Sequence, residues 1–64
     1  MRGVRYTPEK ISIVKLALSL GYIQHDIAAY FGGNQGRISE IKTGLRGAEV
    51  QPASSLPADF PVLN

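Results

Sequence analysis

Apolar residues recur at helical spacing in three stretches of this chain, and no stretch alternates as a strand would. The first stretch opens at Thr7-Pro8-Glu9. Thr7 can cap a helix, Pro8 suits its first position, and Glu9 favours the positive end of its dipole. The pattern predicts a helix to about Leu20, stopped by Gly21 in a left-handed conformation. Ser12, Lys15 and Ser19 fall on one polar stripe. Ile11, Ile13, Val14, Leu16, Ala17, Leu18 and Leu20 fill the rest, an apolar arc wider than one packing face needs. The surplus needs cover, from the C-terminal tail or from a second chain.

A second helix is predicted from Ile23 or Gln24 to Tyr30, with Ile23, Ile27 and Phe31 turned inward. Gly32-Gly33 breaks it. A third is predicted from Gln35 to Thr43, capped by Asn34, with Ile38, Ile41 and Leu45 inward and Gly44 and Gly47 at its end. Beyond it the pattern stops. Pro52, Pro57 and Pro61 each remove a backbone donor and restrict the residue before them, so no regular helix runs through.

Charge shifts at the same place. Residues 1–47 hold all seven basic groups and three acids, a net +4, whereas 48–64 hold only Glu49 and Asp59. The division that follows is a basic arm over 1–6, a folded unit over 7–47, and a Pro-rich tail over 48–64. At 64 residues this is one small domain at most. There is no cysteine, and a lone His25 beside Asp26 makes neither a zinc site nor a catalytic base, so no metal and no cofactor is expected. A Gly-rich phosphate loop, a spaced carboxylate pair and a nucleophile with its base are all missing, which argues against an enzyme. The longest apolar stretch is too short and polar to span a membrane, and Met1–Arg5 carries no long apolar run. The expectation is a cytoplasmic, nucleoid-associated protein with no membrane contact.

The run Gln24 to Thr43, Q-H-D-I-A-A-Y-F-G-G-N-Q-G-R-I-S-E-I-K-T, resembles the helix-turn-helix of bacterial and phage DNA-binding proteins. Ala28 is small where the next helix crosses, Gly32 supplies the turn four residues later, and Ile27, Phe31, Ile38 and Ile41 plug the core. Two positions depart from the pattern. Gly33 stands where a buried Val or Ile is usual, and Ile23 where a capping Ser or Thr is common. The wider layout, a basic arm before three helices, is similar to the DNA-binding domain of resolvases and DNA invertases. Together these imply an all-α, three-helix helix-turn-helix domain with a basic N-terminal arm and a Pro-rich C-terminal tail.

The resemblance also implies roles. Gln35, Gly36, Arg37, Ser39 and Glu40 would face base edges in the major groove. Gln24, Asn34, Lys42, Thr43 and Arg46 would contact phosphates. Arg2 and Arg5 would enter an adjacent minor groove. Plainer readings stand beside these. A glycine inside a helix simply costs about 1 kcal/mol against Ala. Arg37 and Glu40 make an ordinary solvated pair, with Glu40 orienting Arg37 rather than reading cytosine. Arg2 and Arg5 fit a disordered terminus, and Tyr22 and Tyr30 fit the edge of a core.

The function expected is sequence-specific binding of double-stranded DNA for transcriptional regulation, by a homodimer on a paired site. The surface of the first helix and the tail residues Leu56, Phe60, Val62 and Leu63 are the candidates for self-association. The alternatives are a recombination or excision accessory factor, and an antitoxin-like adaptor whose tail orders on a protein partner.

Overall fold

The computed structural model describes residues 5–63. Three helices follow one another: α1 (Pro8–Leu20), α2 (Gln24–Phe31) and α3 (Gln35–Thr43). No strand occurs among the described residues. No helix among them is long and apolar enough to cross a membrane.

The predicted boundaries rest on local chemistry and reappear in the structure. The Thr7 side chain accepts from the Lys10 amide at 3.3 Å, with Pro8 and Glu9 in the first turn. Asn34 caps α3 by accepting from the Gly36 amide at 2.6 Å. Each helix ends the same way, with two reversed backbone bonds around a left-handed glycine. At α1 these run from Gly21 to Leu18 (3.2 Å) and from Tyr22 to Ala17 (3.1 Å).

The core draws on every element. Ile11, Val14 and Ala17 come from α1, Ile27 and Ala28 from α2, and Ile38 and Ile41 from α3. Two expected core residues lie outside it. Ile23 is 60% exposed because it is the extended residue before α2, out of phase with the helix that follows. Leu45 is 82% exposed because the chain reverses at Gly44, which ends the spacing that linked it to Ile41.

The eighth core residue is Phe60, from the Pro-rich tail, at 7% exposure. The tail is laid back over the helices, and the polar stripe of α1 holds it there. The Ala53 amide donates to the Ser12 carbonyl at 2.9 Å. The Lys15 ammonium donates to the carbonyls of Gly47 and Val50, both at 2.6 Å, and lies 3.5 Å from that of Ala48. Val50 and Leu56 pack against the core. The surplus apolar arc of α1 is therefore covered in part by the tail. Phe60, expected on a self-association surface, is interior instead.

All five aromatic rings of the chain join in one run. Tyr6 meets Phe31 (5.6 Å), Phe31 meets Tyr30 (4.9 Å), Tyr30 meets Phe60 (4.4 Å), and Phe60 meets Tyr22 (5.2 Å). Polar ends of that run tie down the tail: the Tyr22 hydroxyl donates to the Pro61 carbonyl at 2.6 Å and that of Tyr30 to the Asp59 carboxylate at 2.7 Å.

Lys15→Met tests the clamp. It keeps the aliphatic stem but leaves the carbonyls without their charged donor. Urea denaturation should show a loss of about 1.5–3 kcal/mol. A loss under about 0.5 kcal/mol, the range of an ordinary surface change, would mean that the tail is held without it.

Candidate nucleic-acid interface

Three residues, Gly32 to Asn34, join α2 to α3. Behind the join, Ile27, Ala28, Ile38 and Ile41 are all buried, so the two helices share one apolar seam. Gly33 gives the turn no side-chain anchor of its own, and the structure fills that space from elsewhere. A Cβ on Gly33 would lie 2.7 Å from the Tyr6 hydroxyl and 3.4 Å from its ring. Tyr6, packed edge-on against Phe31, is thus the missing anchor. Its hydroxyl is buried with no hydrogen-bond partner among the described residues, and burial raises its pKa. Sequence reasoning left Tyr6 in the arm. The available signal was an aromatic residue just before the Thr7 cap, where apolar side chains often fold back onto a helix.

With Ile38 and Ile41 inward, α3 turns Gly36, Glu40 and Thr43 outward at helical spacing, flanked by Gln35, Arg37 and Ser39. Gln35, Gly36 and Arg37 are exposed; Ser39 and Glu40 are partly covered. The structure gives Gly36 a local reason as well. Its amide meets the Asn34 cap, and a Cβ there would stand 3.0 Å from the same oxygen. Glycine at this position leaves room for the cap and a smooth first turn.

Glu40 is the hub of the face. Its carboxylate accepts from Arg37 Nη1 at 3.3 and 3.4 Å and from Arg46 Nε at 3.1 Å. These bonds, that of Arg46 foremost, hold the carboxyl below the usual carboxylate range, partly opposed by desolvation. The pairing with Arg37 was legible as an i, i+3 spacing; the pairing with Arg46 was not.

The remaining candidates are spread around this centre. Lys42, Thr43 and Arg46 are exposed at the far end of α3, where the Thr43 hydroxyl donates to the Glu40 carbonyl at 3.2 Å. Asn34 is exposed but already engaged as a cap through its oxygen. Gln24, half-buried, opens α2. Arg5 is exposed, and its carbonyl accepts from Lys10 Nζ at 3.3 Å. Arg2 lies outside the described residues. Lys15, basic and on the same chain, faces the tail instead. Comparison of the chain with protein-family models, curated proteins and solved structures finds no match.

Proposed function

We propose that this chain is a helix-turn-helix module that binds double-stranded DNA sequence-specifically, with α3 as its recognition helix, in transcriptional regulation. The observation that carries the reading is the outward face of α3. Ser39, Glu40 and Thr43 stand on the side away from buried Ile38 and Ile41, with exposed Gln35 and Arg37 on its two flanks. Such a set can hydrogen-bond base edges, and exposed Lys42 and Arg5 supply cations suited to phosphates. A homodimer would match the paired sites that such modules read. Leu20, Ile23, Val62 and Leu63 are exposed apolar residues available to it, whereas Phe60 is not. A recombination or excision accessory role would use the same interface, and the fragment selected would distinguish the two.

The test is selection of genomic fragments by the pure protein against competing random DNA at two salt concentrations. Contact with about four to six phosphates per chain gives log affinity a slope near −0.9 per phosphate against log salt. Arg37→Ala should cost about 1–3 kcal/mol on the selected fragment and much less on random DNA. No selection above random DNA would overturn the reading, and equal losses on both DNAs would demote Arg37 to a phosphate contact.

A further inference from the structure

We infer that Glu40 is a positioning residue that sets sequence discrimination by holding Arg37 and Arg46 away from phosphates. This rests on the DNA-binding reading above. The geometry behind it is a single carboxylate gripped from two sides. Arg37 approaches from one turn earlier on α3. Arg46 comes from beyond the helix, brought back over Glu40 by the reversal at Gly44. The backbone of Glu40 is tied as well: its carbonyl accepts from the Leu45 amide at 2.9 Å and from the Thr43 hydroxyl at 3.2 Å. The backbone of Glu40 is thus held, and its carboxylate stands between the two arginines.

Two effects follow. An arginine that is free to reach any phosphate adds affinity without sequence information. An arginine held by a carboxylate has one of its forks spoken for, and the negative charge beside it repels the DNA backbone, so random duplex is disfavoured. Arg37, with its Nη1 group committed, presents its remaining rigid donors in one orientation, as two-point recognition of guanine requires. The side chains of Arg37, Glu40 and Arg46 are 52%, 34% and 44% exposed, so each pair is solvent-screened and weak. A correctly placed base or phosphate can therefore compete with Glu40, and a poorly placed one competes badly.

The experiment uses the full chain and Glu40→Gln, which keeps the shape and exposure of the side chain and removes its charge. Binding is measured on the fragment that the unaltered protein selects and on random duplex, over a range of salt. Affinity for random DNA should rise about three- to tenfold, and its salt slope should steepen by roughly one phosphate contact, near 0.9. The ratio of selected to random affinity should fall at least about threefold. In a cycle with Arg46→Gln, loss of Arg46 should weaken random binding more in the Glu40→Gln background than in the unaltered chain. A residue that only supports the helix would shift both affinities by one factor and leave the slope alone, and that result overturns the inference. So do equal losses in the cycle. If the unaltered chain selects no fragment, the DNA-binding reading fails with it. If it selects one and the ratio holds in Glu40→Gln, only the role of Glu40 fails.

Discussion

Phe60→Ala should destabilise the protein by about 3–5 kcal/mol, the range for deleting a buried phenyl ring. Among the described residues Phe60 is the one buried core residue drawn from the tail, and its ring meets both Tyr22 and Tyr30. Its removal opens a cavity and undoes two aromatic contacts at once. A domain of 64 residues has a total stability of about 3–10 kcal/mol. The variant should therefore lose a large share of that total, and all of it at the low end of the range. Circular dichroism against urea and temperature decides it. A loss under about 1 kcal/mol would mean that the helices hold without the tail. Any use of tail deletion to probe self-association meets the same difficulty, since it removes this ring along with the surface.

Gly47→Ala comes next, at about 2–5 kcal/mol. Gly47 has φ +67°, a conformation that costs a residue with a Cβ about 1–2 kcal/mol. There is also no space for one. The added carbon would lie 2.8 and 2.9 Å from Cγ2 and Cδ1 of Ile11. Ile11 is β-branched, 5% exposed and packed in the core, so it cannot swing aside, and overpacking adds about 1–3 kcal/mol. Gly32→Ala is the matched control. Its φ is +74°, but nothing lies within 4 Å of the added carbon. It should lose only the conformational part, about 1–2 kcal/mol. Equal losses in the two variants, measured in the same urea series, would remove the steric half of the argument.

The helices were readable because their ends are written in adjacent residues. Thr7, Asn34 and the glycines at 21, 32 and 44 act on backbone groups within a turn of themselves. The exposure of Gln35, Gly36 and Arg37 was readable as well, once the helical period set Ile38 and Ile41 facing in. What could not be read depends on contacts between distant parts of the chain. Lys15 looked like one member of a solvent stripe, yet its partners are carbonyls 32 to 35 residues away. Periodicity says nothing about a backbone carbonyl. Ile23 and Leu45 were placed inward by extending a helical period past residues that interrupt it. Arg46 escaped notice as a partner of Glu40 because the turn at Gly44 replaces helical spacing with a reversal. Gly33 looked like an unfilled position because the ring that fills it arrives from before the first helix.

The tail also bears on how the chain comes together. The seam between α2 and α3 joins neighbours in sequence, with contacts of the kind that form early and fast. The ties of the tail close much longer loops: Tyr30 to Asp59 spans 29 residues and Tyr22 to Pro61 spans 39. Their ordering entropy falls due only when the last segment docks. On that ordering the α2–α3 seam is expected to form first, and the seating of Phe60 between Tyr22 and Tyr30 later. Contacts made in that later step act chiefly on how long the folded state lasts once reached, and little on how soon it is reached.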